Sequence, residues 1–138
     1  MVAALIGASV GILTIVVARL VRGERWMYAI GLLTLPSLYA SFALRVGQPS
    51  LGLKEMIVGL PFLVVGVALG AVGVRHSAIV VGVFWILHGL YDLVHARLVA
   101  NPGVPAWYPA FCFTVDVVVG AYVLWLARRI PEGNLRRA

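Results

Sequence analysis

Five apolar runs, each close to 20 residues long and separated by short polar segments, dominate this chain of 138 residues. A helix needs about 20 apolar residues to cross the hydrocarbon core of a bilayer. Only 12% of the residues are charged, roughly half the share of a soluble domain. The sequence therefore predicts an all-α integral membrane protein, a bundle of five transmembrane helices, and argues against a soluble fold.

The short polar segments set the bounds of the predicted spans. We expect a single transmembrane domain over residues 1–138, with spans at about 2–21, 26–46, 51–74, 78–100 and 107–130. Small residues on spans one and three predict faces where another helix can approach closely. A homodimer could form through these faces. The glycines concerned are Gly7, Gly11, Gly59, Gly66, Gly70 and Gly73.

Arginine and lysine are distributed unevenly between the two predicted membrane faces. The larger set is Arg19, Arg22, Arg25, Arg75, Arg128, Arg129, Arg136 and Arg137, and the smaller set is Arg45, Lys54 and Arg97. Because basic loops stay in the cytoplasm, we predict an external N-terminus and a cytoplasmic C-terminus. The same loops suit anionic lipid headgroups, so the net charge of +6 indicates a lipid bilayer, and not nucleic acid, as the partner.

The fourth run contains three ionisable side chains on one stripe. On a helix, Asp92 lies about 40° from His88, and His95 lies about 20° to the other side of His88. Ionisable groups are costly to place in lipid, so they usually face a bundle interior or a wet cavity. This stripe predicts a functional polar site inside the membrane domain.

Neighbouring spans place further ionisable groups at similar depths. In the predicted topology Asp116 lies near the depth of His88, Cys112 near that of Asp92, and Glu55 enters from the outer end of span three. We expect these groups to line one pocket that opens outward. A purely structural role is the alternative. In that case Asp92–His95 and His88–Asp116 are hydrogen-bonded pairs that only lock the bundle, Cys112 is a small apolar residue and Glu55 is a solvated or salt-bridged helix-start carboxylate.

Four segments of the chain resemble a bacterial family of small integral membrane proteins. They are Leu51–Glu55, Trp85–His95, Asn101–Pro105 and Cys112–Asp116. The family pattern is similar to W-L-L-H-x-x-W-D-x-x-H, then N-P-x-x-P, then a cysteine four residues before an aspartate. This chain has Tyr91 for the second tryptophan and Ala96 where a third histidine is common. The resemblance implies a multi-pass protein of the bacterial inner membrane and supports the polar site without implying a reaction.

The first functional hypothesis is a membrane enzyme that performs acid–base chemistry, of isomerase or cyclase type, on a hydrophobic small molecule or lipid. Asp92 and Asp116 are the expected acid–base pair, oriented by His88 and His95, with Glu55 as a further member of the catalytic set. The residues expected to line the substrate pocket are Trp85, Tyr91, Trp107 and Cys112.

Two other hypotheses remain open at the level of sequence. His88, His95, Asp92 and Asp116 are an acceptable donor set for Zn²⁺ or Fe²⁺, with Glu55 or Cys112 in reserve, and a bound metal could activate water for lipid hydrolysis. The chain could instead be a non-enzymatic ion-binding or assembly protein. In the predicted topology, the spans carry almost no ionisable groups on the cytoplasmic side of His88 and Asp116. This distribution disfavours a continuous pore.

Overall fold

The computed structural model describes residues 1–70 and 74–129, and all regular structure within these ranges is helical. The six helices are α1 (Val2–Leu20), α2 (Glu24–Arg45), α3 (Pro49–Val58), α4 (Leu60–Gly70), α5 (Val74–Leu98) and α6 (Tyr108–Ala127). In α1, α2, α5 and α6 the apolar stretch is long enough to cross a membrane, and the bent pair α3–α4 supplies a fifth candidate. The chain is therefore a helical membrane bundle with four or five spans.

The third predicted span is a bent pair of helices. The axes of α3 and α4 differ by 52°. Pro61 has no amide hydrogen to donate to the preceding turn, and its ring crowds the helix there. Gly59, at the break, lies directly against α2, where a Cβ on Gly59 would be 2.3 Å from the Cβ of Pro36. The span expected over 51–74 is thus interrupted in the structure, and the bent pair is either one broken span or a re-entrant loop.

The other spans begin and end close to their predicted bounds. α2 begins at Glu24 and α5 at Val74, each a few residues earlier than expected, and α5 ends at Leu98. Span three is predicted to end at residue 74, and residues 71–73 of it lie outside the described part of the chain. Span five is predicted to end at residue 130, which also lies outside it. The basic tail at 131–138 also lies outside it, and the orientation in the membrane stays a prediction.

The helices pack in an order that places α6 between α1 and α5. α5 also contacts α2 and α4, and α2 packs against both halves of the bent pair. The connection after α5 turns back over the end of α2, where Asn101 donates a hydrogen bond to the carbonyl of Tyr39. We call this the Asn101 end of the bundle. At the opposite end, the Glu24 end, the Tyr122 hydroxyl donates a hydrogen bond to Glu24.

The glycines of spans one and three pack within the chain. A Cβ on Gly7 would be 2.2 Å from the Phe111 carbonyl of α6, and one on Gly11 would meet Val118 of α6 at 3.1 Å. A Cβ on Gly66 would lie 2.8 Å from the Ala29 carbonyl of α2. These glycines therefore bring helices of the same chain together, and the homodimer stays a prediction. Gly73 lies outside the described residues.

Three further glycines allow α5 and α6 to cross closely. A Cβ on Gly120 would lie 2.8 Å from the carbonyl of Gly82, and one on Gly89 would lie 3.1 Å from the Cβ of Asp116. The absence of side chains at these positions lets the polar residues of the two helices meet across the interface. This crossing sets the geometry of the site described next.

Candidate functional site

The five ionisable residues predicted for the site are all buried. Their exposed fractions are 2% for Glu55, 2% for His88, 1% for Asp92, 1% for His95 and 0% for Asp116. They come from α3, α5 and α6 and lie in the half of the bundle nearer the Asn101 end. The expectation of a broad pocket opening outward is not met in this conformation, because these side chains have almost no contact with the surface.

His88 lies between the two aspartates. Its Nδ1 atom is 2.7 Å from Oδ2 of Asp116 and 3.6 Å from Oδ2 of Asp92. His88 and Asp92 are four residues apart on α5, so both point to the same side of that helix. Asp116 approaches from α6 at the place where Gly89 lacks a side chain. The result is an imidazole with two carboxyl groups around a single ring nitrogen.

Tyr39 of α2 joins this group from a third helix. Its hydroxyl donates a hydrogen bond of 2.7 Å to Oδ1 of Asp92. Its ring stacks on the imidazole of His95, with 3.9 Å between ring centroids and 26° between ring planes. The sequence marks Tyr39 only as a polar residue within an apolar run, and nothing in its local pattern identifies it as a partner of Asp92.

His95 and Glu55 form a second pair. Nε2 of His95 lies 3.0 Å from both carboxylate oxygens of Glu55. The Asn101 side-chain amide donates to Oε1 of Glu55 at 2.8 Å, and Oδ1 of Asn101 accepts a bond from the Gly103 amide. Glu55 is therefore a buried, hydrogen-bonded carboxylate and not a solvated helix-start residue, while the adjacent Lys54 is exposed.

A small cavity separates the two pairs. It has a volume of about 10 Å³ and is lined by Pro36, Tyr39, Glu55, Gly59, Phe62, His88 and Tyr91. That space fits about one water molecule. Glu55 and His88 both reach the cavity wall, whereas Asp92 and Asp116 are not among its lining residues. The cavity is therefore a space that Glu55 and His88 share.

Cys112 lies behind His88, on the α6 side of the site. Its sulfur is 3.7 Å from the Tyr108 hydroxyl and is buried with it. Ligand atoms of Cys112, Asp116, His88 and Asp92 all lie within 4.8 Å of one another. His95 is not part of this group, and its Nε2 atom lies against Glu55 instead.

The aromatic residues predicted for the substrate pocket divide into two groups. Tyr91 lines the cavity. Trp85 lies instead in the hydrophobic core, where its Nε1 donates to the Tyr28 carbonyl. Trp107 is 56% exposed and belongs to a separate apolar groove at the Asn101 end, which Val2, Ala3, Ile6 and Phe111 complete. Trp85 and Trp107 therefore do not line the small cavity.

Two carboxyl oxygens of the site have spare capacity for hydrogen bonds. Within the described part of the chain, Oδ2 of Asp92 and Oδ1 of Asp116 are buried and have no hydrogen-bond partner. Buried polar atoms are normally paired, so each exception needs an explanation. A group that acts on a ligand, a proton or an ion supplies one.

No family model, curated protein or solved structure matches this chain. The fold and the site therefore define the protein by class alone. It is a helical membrane bundle with a buried centre of histidine, carboxylate and thiol side chains.

Proposed function

We propose that this protein is an integral membrane enzyme that performs acid–base chemistry, of isomerase type, on a lipophilic substrate with an oxygen function. The observation that carries the proposal is the small cavity between Glu55 and His88. A carboxylate and an imidazole that face one space inside an apolar bundle form a proton acceptor and a polar partner for a substrate oxygen.

The role of proton acceptor falls to Glu55. Two donors, His95 and Asn101, fix its carboxylate in the cavity wall. In the proposed reaction Glu55 takes a proton from a carbon next to the substrate oxygen function and returns a proton to another carbon. The net proton count is zero, and the product is an isomer of the substrate.

The opposite wall would stabilise negative charge on the substrate oxygen. His88 lines the cavity there and is held from behind by Asp116 and Asp92. Electrostatic groups in a water-poor site are more effective than in water because they need little reorganisation. This assignment moves the acid–base pair from Asp92 and Asp116, as expected from the sequence, to Glu55 and His88.

A structural role alone explains this arrangement less well. An interhelical lock needs one satisfied hydrogen bond, and such bonds in membranes contribute about 0.6 kcal/mol on average. Here two carboxyl groups surround one imidazole nitrogen, and Asp92 and Asp116 each keep an unpaired oxygen within the described structure. Burying such groups is costly, which favours a function that uses them.

A lipophilic substrate needs more room than the present cavity provides. Gly59 and Phe62, at the junction of α3 and α4, form part of its wall. Because the third span is already interrupted at this point, a displacement of the junction would enlarge the cavity without breaking a continuous helix. We therefore assign substrate entry to the side of the bundle where α3 and α4 meet.

Solvent deuterium provides a test that works before the substrate is identified. Purified protein is incubated with a bacterial lipid extract in heavy water, and the lipids are analysed by liquid chromatography and mass spectrometry. We expect wild-type protein to introduce deuterium into at least one lipid and to change its retention time. Glu55→Gln should abolish both effects, and Lys54→Gln, a change at the exposed neighbour, should preserve them.

Two results would overturn this proposal. One is the absence of deuterium incorporation and of any chromatographic change with well-folded wild-type protein. The other is incorporation that Glu55→Gln and His88→Gln leave unchanged. Size-exclusion chromatography and circular dichroism in detergent establish that each variant has the helical content of the wild type.

A further inference from the structure

Two short sequence pairs on neighbouring helices face each other across the α5–α6 interface. His88 and Asp92 are four residues apart on α5, and Cys112 and Asp116 are four residues apart on α6. Each pair projects from one side of its helix. Their four ligand atoms, one from each residue, lie within 4.8 Å of one another and are fully buried.

We propose that His88, Asp92, Cys112 and Asp116 bind one divalent transition-metal ion of the Zn²⁺ or Fe²⁺ class. Imidazole, carboxylate and thiolate are the side chains that bind these ions in proteins. This proposal deepens the proposed function and rests on it for the role of the ion. The ion would lie behind His88, and its charge would make the imidazole in the cavity wall a stronger partner for the substrate oxygen opposite Glu55.

The donor distances are close to those of a metal site. With bonds of 2.0–2.3 Å, tetrahedral ligand atoms are separated by about 3.3 to 3.8 Å. The distance from His88 Nδ1 to Asp92 Oδ2, 3.6 Å, already lies in this range. The distance from His88 Nδ1 to Asp116 Oδ2 is 2.7 Å and would have to widen by less than about 1 Å, which a small side-chain rotation achieves.

Charge favours an ion at this position. In the described ranges, His88 is the only basic side chain that lies within ion-pair distance of Asp92 or Asp116. One imidazolium offsets one carboxylate, whereas a divalent ion offsets both. Oδ2 of Asp92, which has no hydrogen-bond partner in the described structure, also gains a partner. Coordination by Cys112 releases the thiol proton, and the Tyr39 hydroxyl that donates to Asp92 then stabilises the remaining negative charge.

The neighbouring histidine provides an internal control. His95 is an expected ligand from its spacing on α5, but Glu55 engages its Nε2 atom from both carboxylate oxygens. The proposed site therefore excludes His95 and includes Cys112. Its donor set thus differs from the one that the sequence stripe alone suggests.

Metal content and a cobalt spectrum test the site directly. Protein purified in detergent, with any affinity tag removed, is loaded with Zn²⁺ and dialysed, and the metal is measured by inductively coupled plasma mass spectrometry. We expect close to one ion per chain in the wild type and in His95→Gln. Asp116→Asn and Cys112→Ser should bind at least about tenfold more weakly.

Cobalt adds a readout that does not depend on activity. Co²⁺ in the wild-type site should give a near-ultraviolet charge-transfer band from the Cys112 sulfur, and Cys112→Ser should lose this band. Wild-type protein that retains no Zn²⁺ and gives no cobalt band would overturn the metal site. So would equal retention in wild type and Asp116→Asn.

The two proposals fail in different ways. If no metal binds but Glu55→Gln still abolishes deuterium incorporation, the proposed enzyme activity is supported and the metal site is rejected. If metal binds in the expected pattern but no lipid is labelled by wild-type protein, the metal site stands and the proposed reaction does not.

Discussion

At the scale of single residues, Tyr39 connects the two halves of the site. Its hydroxyl bonds to Asp92, its ring stacks on His95, and its backbone carbonyl accepts a bond from Asn101. Tyr91 also lies beside both imidazoles, with its ring centroid 6.0 Å from that of His88 and 5.4 Å from that of His95, but Tyr39 adds a hydrogen bond to Asp92. Tyr39 therefore holds the relative positions of the Glu55 side and the His88 side of the cavity.

Replacing Tyr39 with phenylalanine tests the contribution of the hydroxyl separately from that of the ring. Tyr39→Phe keeps the stack on His95 but leaves Oδ1 of Asp92 without its donor. Because a buried acceptor loses its partner, we expect a loss of about 1 kcal/mol in the free energy of unfolding. The measurement is reversible unfolding in mixed detergent micelles.

The matched control for this change is Tyr91→Phe. Tyr91 also lines the cavity, but its hydroxyl makes no hydrogen bond to the described residues. We expect the free energy of unfolding of Tyr91→Phe to lie within a few tenths of a kcal/mol of the wild-type value. Equal stability of both variants would contradict the role assigned to the Tyr39 hydroxyl.

At the scale of helices, the break between α3 and α4 decides where Glu55 lies. The bend of 52° follows Val58, close after Glu55, and Gly59 packs on Pro36 at the same point. A glycine and a proline from different helices thus meet at the cavity wall. This contact fixes the approach of α3 to α2 and, through it, the position of the Glu55 carboxylate.

Adding a methyl group at the break should destabilise the bundle. In Gly59→Ala the new Cβ would lie 2.3 Å from Cβ and 2.4 Å from Cγ of the rigid Pro36 ring. Overpacking of this kind costs about 1–3 kcal/mol, which exceeds the gain in helix propensity from glycine to alanine. We expect a lower thermal unfolding temperature in detergent.

Gly52→Ala, on the same helix as Glu55, is the milder comparison. Its Cβ would meet the Ala40 carbonyl at 3.3 Å, a contact that a small shift relieves. The unfolding temperature of this variant should fall less than that of Gly59→Ala. The reverse order would show that the Gly59–Pro36 contact is not the tight point of the α2–α3–α4 interface.

At the scale of the whole molecule, the orientation in the membrane remains a prediction from charge. One predicted face carries eight basic residues and the other carries three, and the site lies in the half nearer the less basic face. A site near that face would draw substrate from the outer leaflet or the extracytoplasmic space. The orientation therefore bears directly on the source of the substrate.

Reporter fusions test this orientation. A fluorescent protein that folds only in the cytoplasm should be bright when fused after Ala138, and alkaline phosphatase should be inactive there. Alkaline phosphatase fused after Gly47, in the turn that follows α2, should be active. The opposite pattern at both positions would reverse the topology and assign the site to the cytoplasmic half.

The sequence by itself determined the spans and the stripe of His88, Asp92 and His95. Both follow from local properties, namely hydropathy over about 20 residues and the helical repeat. It also anticipated that Glu55 and Asp116 belong with this stripe, because antiparallel spans bring such residues to similar depths. The bend in the third span was not predicted from the sequence, since hydropathy contains no information about the direction of a helix axis.

Only the tertiary structure decided which side chains meet. Of the two pairs considered from the sequence, His88 with Asp116 is present. Asp92 and His95, both on α5, do not pair with each other: Asp92 bonds to Tyr39, 53 residues away, and His95 to Glu55, 40 residues away. The choice depends on how each helix is rotated about its axis and how closely it approaches its neighbours. Glycines such as Gly89 allow the close approach of two helices that are distant in sequence, and no local sequence pattern identifies the helix that they contact.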